Sequence, residues 1–252
     1  MWALRDSANE AGRHLRAIPR SPELVMFTLM QPLMFVLLFN YVFGGAINTP
    51  GMPYAQFLIP GVFAQTVVFG SSFTGVGIAE DMSKGFIDRL RSLPINQSAV
   101  LIGRTMSDFA RNALGAVIIL AAGFALGFRF LGGVLNGLVA TVLLLAFAYA
   151  FSWIQALVGL SVSSVEAANS AGFIWMFPLT FVSSAFVPTE TMPSWLQKVA
   201  EWNPFTQVTN AARALFAGTD PGNAVWISAL WAIGITAVFA YLAIRKWART
   251  SA

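Results

Sequence analysis

The 252-residue chain contains no cysteine. Disulfides and thiolate metal sites are therefore excluded. Its one histidine is His14, in the N-terminal segment, so imidazole metal centres and histidine-based triads are excluded too. No G-x-x-x-x-G-K-[ST] run occurs, and without that phosphate-cradling loop the chain has no such route to ATP hydrolysis. Charge is scarce, at 10% Asp, Glu, Lys and Arg, where ordinary soluble domains carry about 25%. No carboxylate lies deep within an apolar run. Glu80, Asp108 and Glu166 stand at the edges, which leaves no buried relay of the kind a proton-coupled carrier uses. Nor is there a paired nucleophile and base for an intramembrane hydrolase.

Hydrophobic residues make up 57% of the chain and the mean hydropathy is +0.68. A soluble fold would have too little polar surface to cover itself, and the composition predicts a polytopic all-α membrane protein. The net charge of +4 is modest and reads as loop bias, not nucleic-acid affinity. The opening MWALRDSANEAGRHLRAIPR is too polar for a signal peptide. Residues 1–23 read as a basic helix in the membrane interface, with Trp2, Leu4, Leu15 and Ile18 loosely on one face and arginines among them. A solvated helix is the alternative.

One transmembrane domain is expected over residues 1–252, with six spans at 24–44, 57–79, 105–128, 134–160, 171–187 and 224–244. Each is long enough, at 1.5 Å per residue, to cross a hydrocarbon core of about 30 Å. Pro32 and Pro178 interrupt the first and fifth spans. Asp108 and Arg111, three residues apart near the start of the third, share a helical face and are placed to pair. With both termini inside, twelve Lys and Arg residues fall on the inner side and three on the outer, namely Arg129, Lys198 and Arg213. Both termini are thus expected in the cytoplasm.

The longest polar interruption of the first half is EDMSKGFIDRLRSLP, residues 80–94. Phe86, Leu90 and Leu93 recur at helical spacing, with charges around them. Such a helix serves equally as a grip for a partner protein or as a helix lying on lipid headgroups. Residues 189–217 are semi-polar and broken by prolines, with Trp195, Leu196, Val199 and Trp202 on a stripe that suits packing or a membrane interface.

YAQFLIPG at 54–61, KGFIDRLRSLPIN at 84–96, LGFRF at 126–130 and SSAFVPTETMPSWLQKVAEWNPFTQVTNAARAL at 183–215 together resemble the type-2 ABC transporter permeases. Within them, the chain is similar to the bacterial daunorubicin-resistance-like drug exporter permeases over nearly its whole length. The resemblance implies a bacterial inner-membrane subunit that is not itself an enzyme. It implies pairing with a second permease, as homodimer or heterodimer, above two copies of a separate ATP-binding subunit that holds ATP and Mg2+. This chain would bind no cofactor itself. Residues 1–23 become an interfacial helix against the ATPase. Residues 80–94 become the cytoplasmic coupling helix between spans two and three, with Glu80, Asp81, Gly85, Phe86, Arg89, Leu90, Leu93 and Pro94 at or beside the contact. Residues 189–217 become external re-entrant half-helices between spans five and six. Pro188, Pro193, Trp195, Leu196, Asn203 and Pro204 then belong to the outer gate. A hydrophobic drug-like or lipid-like compound would pass between two permeases along the first, second and fifth spans, by way of Phe35, Phe39, Gln65, Phe69, Phe73, Phe177 and Phe181. A polysaccharide or lipid-linked glycan exporter of the same fold is the nearest rival, and a channel or scaffold without ATP the more distant one.

Overall fold

The computed structural model describes residues 22–45, 47, 49, 51–85 and 97–249, and every regular element among them is a helix. Helix α1 (Pro22–Leu37) begins on a proline, whose missing N–H costs nothing at that position. It carries Pro32 internally and widens into a π-helical stretch, Leu38–Phe43. Helices α2 (Tyr54–Gly70) and α3 (Ser72–Ser83) form one 30-residue apolar stretch broken at Ser71. The break has a local cause. Ser71 and Ser72 turn their hydroxyls back onto the carbonyls of Val68 and Phe69, and the Ser71 N–H bonds Val68 O three residues back, at 3.0 Å. Such back-bonding tightens and bends a helix.

Helix α4 (Gln97–Ala125) ends on Gly127, whose φ of +93° suits glycine. The N–H of Phe128 closes onto Gly123 O at 2.9 Å, the six-to-one bond of a Schellman stop. Helix α5 (Gly133–Gly159) follows. Helix α6 (Val165–Phe181) is capped by Ser164, whose hydroxyl accepts from the Ala167 N–H at 3.1 Å. The hydropathy pattern extends the fifth span to Val187, but the helix stops at Phe181 and the backbone is irregular from there to Pro188. After a 3-10 turn at Thr189–Thr191 come α7 (Ser194–Trp202) and α8 (Pro204–Ala217), then α9 (Ala224–Arg249).

Among the described residues, four helical stretches are long and apolar enough to cross a membrane: Tyr54–Ser83, Leu101–Ala125, Gly133–Gly159 and Ala224–Ala248. Helix α5 is the hub, packed against α2, α3, α4, α6, α8 and α9. Phe147 and Phe151 on it are fully buried, and most of the described core forms one cluster.

Small residues set a close crossing of α3 and α5. A Cβ on Gly159 of α5 would lie 2.4 Å from the carbonyl oxygen of Gly75 on α3, and one on Gly75 would lie 2.6 Å from Gln155 O. In lipid, association depends on such close approach, because apolar burial no longer drives it. Gly159→Val is therefore expected to cost about 1–3 kcal/mol or more through overpacking against backbone. Gly115→Val, where nothing lies within 4 Å of the added carbon, is the control. Thermal unfolding of the two variants in detergent distinguishes them: only the first should drop.

Candidate functional site

Three polar features interrupt this apolar body. The first is a cavity of about 340 Å3 between α1, α2, α3 and α6, lined by Gln31, Pro32, Gln65, Thr66, Phe69, Gly70, Ser72, Phe73, Val76, Asn169 and Phe173. It opens beside the break at Ser71. Gln65 is 3% exposed and its Nε2 has no protein partner. A buried amide donor without a partner costs roughly 1–3 kcal/mol, and this one sits on the wall of a space large enough for a ligand. The walls combine three phenylalanines with amides and hydroxyls, and no charged side chain lines them.

From this cavity a continuous chain of aromatic contacts leads away. Phe69 meets Phe173 at 5.7 Å and Phe177 at 5.3 Å between centroids. Phe177 stacks on Phe181 at 5.8 Å, Phe181 meets Phe186 at 5.3 Å, and Phe186 stacks on Phe39 at 4.7 Å. Phe39 in turn stacks on Phe35 at 5.9 Å. These spacings lie within the favourable range for aromatic pairs. Phe177 and Phe181 remain more than 40% exposed, so the chain forms an open face of the molecule.

The second feature is a charged cluster where α3 meets α4. Asp108 is 4% exposed. Its Oδ1 accepts from Arg111 Nη2 at 2.6 Å and its Oδ2 from the Thr74 hydroxyl at 2.5 Å. The Arg104 Nε lies 3.8 Å from that same Oδ2, and Arg104 Nη1 donates to Asp81 Oδ2 at 3.0 Å. Arg111 also reaches the carbonyl of Gly70 at 3.4 Å, and its guanidinium lies over the Phe73 ring at 4.5 Å. The pairing of Asp108 with Arg111 matches the three-residue spacing. Its burial goes further than the sequence suggested, because α4 begins at Gln97 and carries Asp108 into the packed region. At the end of α3, Glu80 and Lys84 pair on the surface at 2.5 Å, and the bond to the Glu80 carboxylate holds the Lys84 ammonium above the usual lysine range.

The third feature is a polar stripe along α8 that captures the irregular backbone after α6. Asn203 caps α8 by accepting from the Phe205 N–H at 2.8 Å, while its Nδ2 donates to Leu179 O at 2.7 Å and Val182 O at 2.6 Å. The Thr206 hydroxyl accepts from the Ser184 N–H at 3.1 Å, and Asn210 Oδ1 accepts from the Ser184 hydroxyl at 2.7 Å. Arg213, 8% exposed, donates to the Phe57 carbonyl from Nε and Nη2, to Ser184 O at 2.9 Å and to Asn210 Oδ1 at 2.8 Å. Its guanidinium lies 3.7 Å from the Phe57 ring centroid. Tyr54 adds a bond to Phe186 O at 3.1 Å.

The residues expected along the substrate route separate into two groups. Gln65, Phe69 and Phe73 line the cavity, whereas Phe35, Phe39, Phe177 and Phe181 stand on the aromatic face. Gln31, Asn169 and Phe173 also line the cavity and Phe186 joins the aromatic face, and none was among the expected residues, although Phe173 falls four residues before Phe177 and eight before Phe181, on one helical face. Arg213 was read only as an external charge. Of the residues expected at the gate, Pro188 and Pro193 precede the 3-10 turn and α7, and Pro204 opens α8. Trp195 is 68% exposed, Leu196 half-buried and Asn203 buried. Of the residues expected at the coupling contact, Glu80 and Asp81 lie in the last turn of α3 and Gly85 follows it with φ +63°. Phe86, Arg89, Leu90, Leu93 and Pro94 lie outside the described residues, as does the N-terminal helix expected before Pro22.

Residues 11–217 match the family model for the ABC-2 type transporter. The chain is 36% identical over 244 residues to the daunorubicin resistance ABC transporter permease protein DrrB1 of Streptomyces coeruleorubidus, covering 95% of this chain and 85% of that protein. It is 22% identical over 217 residues to the probable doxorubicin resistance ABC transporter permease protein DrrC of Mycobacterium tuberculosis, covering 86% and 78%. It is 26% identical over 188 residues to the probable multidrug ABC transporter permease YbhR of Escherichia coli K12, covering 72% of this chain and 49% of that one. The helical membrane body and the match across most of its length place this chain in the ABC-2 type transporter family, as a permease subunit of an ABC exporter.

Proposed function

We propose that this permease moves an amphipathic, hydrophobic drug-like or lipid-like molecule out of a bacterial cell, using ATP and Mg2+ bound by a separate partner subunit. In this reading the chain crosses the inner membrane six times with both termini in the cytoplasm. Helices α1 and α6 serve as further spans beside the four long ones, and a second permease and two ATP-binding subunits complete the assembly. The stretch after Glu80 and Asp81 is the coupling surface, and α7 with α8 is the external re-entrant gate. The observation that carries the substrate reading is the cavity between α1, α2, α3 and α6 with its unpartnered Gln65 amide. Its volume and mixture of aromatic walls with a few polar groups suit one drug-sized molecule, and the aromatic face from Phe69 to Phe35 continues the route. A polymer such as a glycan would need a wider opening.

The test is ATP-dependent uptake of daunorubicin into inverted vesicles carrying this chain and its ATP-binding subunit. Removal of a buried aromatic side chain is worth roughly 1.5–3 kcal/mol. Phe69→Ala is thus expected to raise the half-saturating drug concentration about tenfold or more, with the variant present at normal levels. Uptake that persists without ATP or without the ATP-binding subunit would refute the exporter mechanism. Uptake of a lipid-linked glycan in place of any drug in a panel would shift the assignment to that rival.

A further inference from the structure

We propose that Asp81, Arg104, Asp108 and Arg111 form a relay of ion pairs that ties the coupling stretch to the wall of the cavity, so that motion at one moves the other. The proposal rests on the reading of residues 80–94 as the coupling surface. Each link is a contact already given. Asp81 is held by Arg104 at 3.0 Å, Arg104 lies 3.8 Å from Asp108, and Asp108 holds Arg111 at 2.6 Å. Arg111 then touches two cavity-lining residues, Gly70 through its carbonyl and Phe73 through its ring.

Three observations make this a relay and not a set of unrelated pairs. Asp81 lies in the last turn of α3 and Arg104 in the first half of α4, so their bond ties together the two helices on either side of the intervening segment. A push on that segment then reaches the two helices together. Asp108, at the centre of the cluster, is buried and bonded on both oxygens, with Asp81, Arg104 and Arg111 half-buried around it. Asp108 cannot part from Arg111 without leaving an unpaired ion in a low-dielectric interior, which keeps the inner links stiff, whereas the more exposed Asp81–Arg104 pair can part at little cost. Finally, the last link lands at the one break in the α2–α3 stretch. Around Ser71 the helical ladder is already altered, with the Thr74 N–H bonded to Ser71 O. A break of this kind is where a long helix yields, and Arg111 grips the residue before it and, through Phe73, the turn after it.

Gly77 supplies a clean way to test the relay. A Cβ there would fall on the Arg104 guanidinium, the far end of a flexible side chain. Gly77→Ala therefore pushes Arg104 away from Asp81 while deleting no charge and improving helix propensity. Because the chain has no cysteine, Val76→Cys in the cavity wall gives this chain one reporter thiol, read on the separated permease band. The measurement is its alkylation rate by N-ethylmaleimide in the intact complex, nucleotide-free and after trapping with MgATP and vanadate. With Gly77 intact, trapping is expected to change the rate about fivefold or more, the low end of ordinary coupling between two sites. With Gly77→Ala the change is expected to collapse toward unity, at an unaltered melting temperature. Arg104→Lys, which keeps a charge near Asp81 but loses the fork, is expected to fall between.

If trapping alters the rate equally in the Gly77→Ala background, the relay is wrong although the exporter assignment stands. A reporter that never responds to nucleotide also overturns the relay. Daunorubicin uptake, measured on the same vesicles, separates that failure from a failure of the exporter reading itself.

Discussion

Asp108→Ala is expected to be the most damaging single substitution in the described body, costing about 3–5 kcal/mol. The reason is what it leaves behind. Arg111, packed over Phe73 beside Gly70, would lose the carboxylate that neutralises it, and the Thr74 hydroxyl and Arg104 would lose the same partner. Soluble domains have total stabilities of only about 5–15 kcal/mol, so little folded protein should survive extraction. The double variant Asp108→Leu/Arg111→Met is expected to be milder than either single change at those positions, because no unpaired ion remains on α4 to be accommodated. Melting temperatures in detergent of the unsubstituted chain, Asp108→Leu, Arg111→Met and the double variant, with yield of folded material, give the cycle directly. A double variant as damaging as the sum of its parts would show that the two side chains act independently.

Arg213→Leu is expected to rank second, at about 3 kcal/mol. Four hydrogen bonds to three acceptors vanish while the carbonyls of the buried residues Phe57 and Ser184 lose this donor, and each polar group so orphaned costs roughly 1–3 kcal/mol. The loss should be local as well as global. Proteolysis of reconstituted protein should cleave within residues 182–188 far faster than in the unsubstituted chain. Arg213→Lys is expected to recover only part, because an ammonium cannot span Phe57 O, Ser184 O and Asn210 at once as the planar fork does. Equal protection of residues 182–188 in all three proteins would remove the clamp from the argument.

What the sequence made legible follows from the range of the forces involved. Half-helices were expected within residues 189–217, and α7 and α8 stand there at Ser194–Trp202 and Pro204–Ala217. Proline and the Asn-Pro cap act on their own neighbours, so local chemistry suffices. The pairing of Asp108 with Arg111 was equally readable from spacing. Its extension to Arg104, Asp81 and Thr74 was not, because those contacts depend on how α3 lies against α4. The end of α6 at Phe181 was also hidden. Apolar character runs on through Val187, and the bonds that stabilise irregular backbone there come from α8, more than twenty residues later. Gln65, Phe69 and Phe73 could be proposed for the route by residue type, but Gln31 and Asn169 joined them only once four helices were packed around one space.

The stripe on α8 also bears on the order in which the chain is made. Synthesis delivers residues 179–187 before 203–213, yet the carbonyls of Leu179, Val182 and Ser184 and the N–H of Ser184 are satisfied by the later segment. Until Arg213 has emerged, the end of α6 holds unpaired polar backbone that hydrocarbon does not tolerate. It must wait at a watery boundary or against another protein. The C-terminal end of α6 is therefore finished late, in one step with α7 and α8. Any graft or chimera of this permease that separates residues 179–187 from 203–213 divides a single folding unit.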